Sequence, residues 1–244
     1  MENNKPDYVY DNVIQIEDTE ASRKFLANVF MWMFVALGVS AICAFIFANN
    51  PAFLRLMVDE TTHQLSGFAY LVMFAPLAFI LIMRFGLNRI SVPVLSLLFL
   101  AYAAITGISL SFILLAFTAS SVLGVFITSA ALFGVMAVAG YTTRTDLSKF
   151  GSILIMFLIG IIIATLVNLF ILHSAGLDMI ISYVGVAVFV GLTAYDVQKL
   201  KQIGAGLVYG DASASKMALM GGLTLYLDFI NLFIFLLRIF GRRR

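Results

Sequence analysis

The sequence predicts an all-α polytopic membrane protein, a seven-transmembrane-helix bundle, and three observations carry that prediction. Of the 244 residues, 62% are hydrophobic and only 11% charged, where a water-soluble domain carries about 25% charged residues to cover its surface. The apolar residues fall into seven stretches, each near the ~20 residues that a helix rising 1.5 Å per residue needs to cross a bilayer. Basic residues then collect in alternate connections, as helices threaded back and forth through a membrane require. The same numbers exclude other classes. With 15 basic and 13 acidic residues the formal charge is +2, which leaves no basic surface to spread along phosphates, and the apolar content is far too high for a disordered chain. The single cysteine, Cys43, rules out a disulfide within the chain.

Residues 1–22 precede the first span and read as a flexible acidic cytoplasmic tail. Glu2, Asp7, Asp11, Glu17, Asp18 and Glu20 stand there against Lys5, with little apolar surface to bury. The tail lacks the basic, apolar and small-residue regions of a cleaved signal. The rest, 23–244, is one transmembrane domain. Its spans are expected at Phe25 to Ala48, Gly67 to Phe85, Val92 to Phe117, Ser121 to Tyr141, Phe150 to Leu172, Met179 to Gln198 and Met217 to Phe240. One side collects Lys5, Arg23, Lys24, Arg84, Arg89, Arg144, Lys149, Lys199, Lys201 and Lys216, while the opposite loops hold Arg55. Lys and Arg alone set orientation, so the N-terminus is expected in the cytoplasm. Seven crossings put Arg238, Arg242, Arg243 and Arg244 outside, against that bias; the alternative is a re-entrant seventh stretch. Small residues at helical spacing, Ala103, Gly107 and Ser111 on the third span and Gly160 and Ala164 on the fifth, mark expected close helix contacts.

Two of the 13 acids lie inside spans, Asp196 in the sixth and Asp228 in the seventh. A charged side chain at the bilayer centre costs about 2.5 to 3.5 kcal/mol even on the lenient insertion scale, so such a carboxyl is a functional candidate facing the bundle interior or water. Asn231 shares a face with Asp228 one turn on, and Lys199 at i+3 offers Asp196 an ordinary helix ion pair as the plainer reading. Counted from the outer span ends, the two carboxyls differ in depth by about 7 Å, a gap that helix tilts of about 20° close. If they meet, two like charges in low dielectric cannot both ionise easily, and the pair titrates as a unit. Arg84 ends the second span at about the level of Asp196, either as its partner or as an interfacial anchor.

The strings Gly140-Tyr141-Thr142-Thr143-Arg144-Thr145-Asp146-Leu147-Ser148 after the fourth span, Tyr195-Asp196 in the sixth, and Leu225-Tyr226-Leu227-Asp228-Phe229-Ile230-Asn231-Leu232-Phe233 in the seventh resemble the transmembrane Bax inhibitor motif family in its bacterial branch. The resemblance runs from Phe25 to Gly241. It implies a bundle with a central seventh helix that conducts a slow, pH-sensitive calcium leak across the inner membrane. It further implies that Asp196 and Asp228 form a hydrogen-bonded pH sensor, that Arg84 latches to the first of them, and that Tyr195 and Asn231 support the pair. A glutamate found in the second span of some members falls at Met73 here. Calcium takes six to eight oxygen ligands; two aspartates, Asn231 and a few hydroxyls hold it weakly, which suits conduction. No other cofactor is implied, and calcium enters as the permeant ion beside protons.

Rival readings make different demands. An intramembrane aspartyl protease also has Tyr-Asp in its sixth span and Asp in its seventh, but its Gly-x-Gly-Asp is Leu225-Tyr226-Leu227-Asp228 here, and no proline follows Pro93 for its Pro-Ala-Leu element. An intramembrane serine protease lacks its Gly-x-Ser-Gly, and His173-Ser174 reads as solvated outer loop. A retinal protein needs a lysine within the seventh span, where Lys216 stands only at the start. No enzyme is therefore expected. The remaining alternative is a non-conducting regulator that binds partners such as a membrane-anchored ATP-dependent protease, with which bacterial members are associated.

Overall fold

The computed structural model describes residues 8–57, 66–207 and 211–243; Lys5, Arg244 and the first seven residues of the expected tail lie outside them. The described chain is helical apart from turns and one isolated antiparallel bridge. In order, the helices are α1 (Tyr8–Asn49), α2 (Pro51–Met57), α3 (Gly67–Gly86), α4 (Val92–Ala116), α5 (Ala119–Thr142), α6 (Ser148–Val167, continued by a wide π turn over Asn168–Leu172), α7 (Ala175–Ala205) and α8 (Ala212–Phe240). All but α2 are long and apolar enough to cross a membrane, seven in total among the described residues, at the positions the apolar stretches indicate.

Local chemistry sets the helix ends. The hydroxyl of Ser66 accepts from the Ala69 N–H at 3.2 Å and caps α3, Ser174 does the same for α7 through Leu177 at 3.3 Å, and Pro93 sits in the first turn of α4, where its missing N–H is harmless. Between α6 and α7, His173 adopts a left-handed conformation with φ of 49°. The turn is held by Asn168, whose amide donates to Ser174 O and to Asp178 Oδ1 while its carbonyl accepts from Ser174 N. His173 is exposed, in keeping with a loop residue.

Helix α8 is the axis of the bundle. Its most apolar window is 61% buried, against 11% to 33% in the other six spans, because it packs on α1, α4, α5 and α7 at once. Leu225, Tyr226 and Leu232 have no exposed surface. The outer helices turn Phe34, Phe45, Leu77, Leu97, Ile127, Phe157 and Phe170 outward, an exposed apolar surface that suits contact with lipid. Helix α3 is peripheral, packing on α4 and α2.

The C-terminus answers the question of re-entrance. Phe117 and Arg243 pair across an antiparallel bridge, Thr118 N donates to Arg242 O at 3.0 Å, and Arg242 N donates to Ser121 Oγ at 3.1 Å. Residues 117–118 join α4 to α5, whose first turn holds Ser121, so Arg242 and Arg243 lie at the opposite end of the bundle from the α5–α6 connection that carries Arg144. The 29 residues of α8 span about 43 Å, more than the hydrocarbon core. The seventh stretch is therefore long enough to cross fully, and the backbone of Arg242 and Arg243 is tied to the turn it meets there.

Helix α1 runs from Tyr8 without a break into the first span. No Gly or Pro interrupts 8–22, and Glu20 pairs with Lys24 one turn on at 2.7 Å, the kind of local support that helix formation uses without burial. The small-residue rule holds on α4, where a Cβ on Gly107 would lie 2.4 Å from Ser40 O, so the glycine is what lets α1 and α4 touch. It fails at Gly160, which has open space around its Cβ position and faces outward. Small size permits a close approach but does not create one.

Candidate functional site

The site forms where α7 and α8 run side by side. Asp228 sits mid-helix on α8 and is 4% exposed; Asp196 sits on α7 and is half-buried. Their carboxyls lie close enough to interact with each other, closing the gap in depth counted along the sequence. Asp228 Oδ2 has no hydrogen-bond partner among the described residues. A hydrogen bond between two such carboxyls requires a proton on one of them, and a pair bonded in that way holds one negative charge or none. Proton exchange at this point changes the charge inside the bundle by a full unit, next to the central helix. Among the described residues no group of three or more His, Cys, Asp or Glu surrounds a common point, so the pair is no tight cation cage.

The structure brings only part of the expected set together. Arg84 ends α3 with an exposed side chain, and no ion pair joins it to Asp196 among the described residues. The peripheral position of α3 is the reason, since equal depth does not make two helices neighbours. The cation that acts on Asp196 is Lys199, whose ammonium lies 5.7 Å from the Tyr195 ring centroid. Tyr195 itself packs on α6, where a Cβ on Gly151 would run into its ring. Asn231 donates back to Leu227 O at 2.8 Å along its own helix. Neither residue is hydrogen-bonded to the carboxyl pair among the described residues.

Sequence reasoning missed the groups that hold α7 in place. Gln198, two residues beyond Asp196 and 7% exposed, accepts from Leu147 N at 2.8 Å and donates to Thr145 O at 2.8 Å, so one amide clamps the α5–α6 connection. In that connection Asp146 Oδ1 accepts from Ser148 N at 2.9 Å. The Ser148 hydroxyl first, then its N–H and the nearby Lys149, hold the Asp146 carboxyl below the usual carboxylate range. Lys201 donates to Tyr141 O at 2.9 Å with its ammonium 4.7 Å from the Tyr141 ring centroid. Gly140 lets α5 approach α7 so closely that a Cβ there would lie 2.1 Å from Ala194 O. The string 140–148 is thus a docking segment for the turn of α7 that bears Asp196, and its run of small and hydroxyl residues was the available signal.

A second polar contact fixes the far side of α8. Tyr226, fully buried, shares a hydrogen bond with Ser40 Oγ at 2.7 Å, and Ser40 in turn donates to Ala103 O at 2.7 Å. Tyr226 also meets the edge of Tyr102 with ring centroids 5.7 Å apart. Helix α8 is therefore hydrogen-bonded through Tyr226 to Ser40 of α1, which in turn bonds α4, on the side away from Asp228.

Residues 22–244 match the sequence profile of the family described as "Inhibitor of apoptosis-promoting Bax1". The chain belongs to this family. Among its relatives are the "Inner membrane protein YbhL" of Escherichia coli K12, 44% identical over 90% of this chain and 92% of the relative, and an uncharacterized protein of Rickettsia prowazekii, 38% identical over 92% of each. An uncharacterized membrane protein of Streptococcus pyogenes serotype M3 is 34% identical over 95% of this chain and 98% of its own length. The matched region takes in all seven spans, the carboxyl pair and the docking segment, and the chain is an integral membrane protein of the Bax inhibitor family.

Proposed function

We propose that this protein is a slow calcium leak channel of the bacterial inner membrane, gated by the protonation of Asp196 and Asp228. The observation that carries the reading is two neighbouring carboxyls, one of them buried on the most buried helix of the bundle. A carboxyl with apolar neighbours on both flanks is maintained against a cost of a few kcal/mol, and polar glue alone needs no second acid. Calcium is held weakly by the pair's oxygens and passes on, since conduction requires a site that the ion can leave. Protons compete for the same oxygens, which makes the leak depend on pH. In this scheme Arg84 belongs to a second state. Loss of the shared proton adds a charge that must be compensated, and α3, a peripheral span that packs on α4, moves to bring Arg84 to Asp196. The absence of a Gly-rich phosphate loop fits a leak that runs down its gradient without ATP.

The reading is tested by reconstituting the purified chain into dye-loaded liposomes and following calcium entry from pH 6 to 8. Flux above that of empty vesicles, changing with pH, is expected. Flux equal to that of empty vesicles at every pH favours the regulator that binds a membrane-anchored protease. A proteolytic role is disfavoured because Asp228 is 4% exposed, and a peptide bond reaches it only if α7 and α8 part.

A further inference from the structure

We infer that the cytoplasmic half of the bundle carries a binding site for one anionic phospholipid, in a groove between α1 and α5. These two helices each pack on α7 and α8 and leave a slot between them, lined by Arg23, Leu26, Phe30, Ala137, Val138, Tyr141 and Val197. The residues sort by depth. Phe30 and Ala137 lie deep, while Arg23, near the start of the α1 span, and Tyr141, near the end of α5, stand together at the mouth. Val197 of α7 forms the floor at 1% exposed, Leu26 is buried at 4%, and Val138 at 63% forms a lip that opens sideways to lipid. From Arg23 to Phe30 the apolar wall is two helical turns long, about 10 Å.

The charge at the mouth selects the occupant. Arg23 is exposed and has no ion pair among the described residues, since Glu20 on the preceding turn is committed to Lys24 at 2.7 Å. Lys201 adds a second cation, fixed on the Tyr141 carbonyl and ring. A guanidinium at headgroup level above an apolar slot open to the bilayer matches an amphiphile with a phosphate head and an acyl tail. A zwitterionic lipid offers the same tail with no net charge, so the head sets the preference. The floor residue adjoins Asp196, so a lipid seated here lies against the turn of α7 that carries the pair. The binding claim does not depend on conduction.

The test is native mass spectrometry of the full chain in detergent, titrated with dioleoyl phosphatidylglycerol and, separately, dioleoyl phosphatidylcholine. One phosphatidylglycerol is expected to stay bound about fivefold more tightly than phosphatidylcholine, the weight of about one basic residue at an anionic surface. Arg23→Ala should bring phosphatidylglycerol down to the phosphatidylcholine level with an unchanged melting temperature, since Arg23 is exposed and has no ion pair among the described residues. Ala137→Leu, which fills the slot, should weaken both lipids, while Arg89→Ala, an exposed basic change away from the groove, should alter neither. Equal retention of the two lipids by the wild type, or unchanged preference in Arg23→Ala, overturns the site. Displacement of the lipid by millimolar inorganic phosphate overturns the acyl part, leaving a simple anion site.

Discussion

Replacing Gly140 by alanine probes the contact that sets the position of Asp196. A Cβ built on Gly140 lies 2.1 Å from Ala194 O and 2.8 Å from both Ala194 C and Cα, whereas non-bonded carbon atoms rest at about 3.5 to 4.0 Å. These atoms are backbone, so no rotamer change relieves the overlap, and α5 and α7 must part by about 1 Å. Overpacking of this kind costs typically 1–3 kcal/mol, offset by about 1 kcal/mol from the better helix propensity of alanine. The net expectation is a loss of up to about 2 kcal/mol. Gly160→Ala is the matched control, because nothing lies within 4 Å of its Cβ position and only the propensity gain remains. Reversible unfolding of both variants in mixed detergent micelles, with the wild type alongside, gives the comparison. If Gly140→Ala is as stable as Gly160→Ala, the α5–α7 contact is looser than described and the docking of α7 does not depend on it.

Gln198→Ala leaves Leu147 N–H and Thr145 C=O without their 2.8 Å partners, so a loss of about 1–3 kcal/mol is expected, together with faster hydrogen exchange at the Leu147 amide. Tyr226→Phe removes the hydroxyl that meets Ser40 and keeps the ring, so the expected loss by equilibrium unfolding is smaller, about 0.6 kcal/mol as for other hydrogen bonds between membrane helices. The Asp146 carboxyl is held below its usual range, so its contribution is full above the ordinary carboxylate range near pH 4 and is lost as pH falls below it; exchange at the Ser148 amide should rise there in the wild type and show no such step in Asp146→Asn. Arg84→Ala is expected to leave the melting temperature unchanged and to shift the open fraction in flux measurements while a pH titration remains.

Most of the fold was legible because lipid imposes a simple rule. A span must be apolar along about 20 residues, and all seven spans follow from that count with ends displaced by a few residues. The burial of Asp228 was legible too, since it stands in a span with wholly apolar flanks. The position of Arg84 was not. Depth along the membrane normal can be counted from sequence, but the neighbours of a helix depend on packing around the bundle, and α3 lies at the periphery. Gly107 and Gly160 make the same point, being alike in sequence and opposite in surroundings. Gln198 escaped notice because a glutamine at a span end has the composition of an interface residue, and its role rests on a loop some fifty positions away, at Thr145 and Leu147.

The pH dependence of calcium flux in liposomes containing the wild type, Asp196→Asn or Asp228→Asn tests the central claim most directly. Asparagine keeps the size of each side chain and removes its ability to exchange a proton. The expected result is a wild-type flux that changes with pH and a flattened response in either variant, because one carboxyl alone cannot share the proton. If both variants keep the wild-type midpoint and amplitude, the pair only holds α7 to α8 and the sensor lies elsewhere in the molecule.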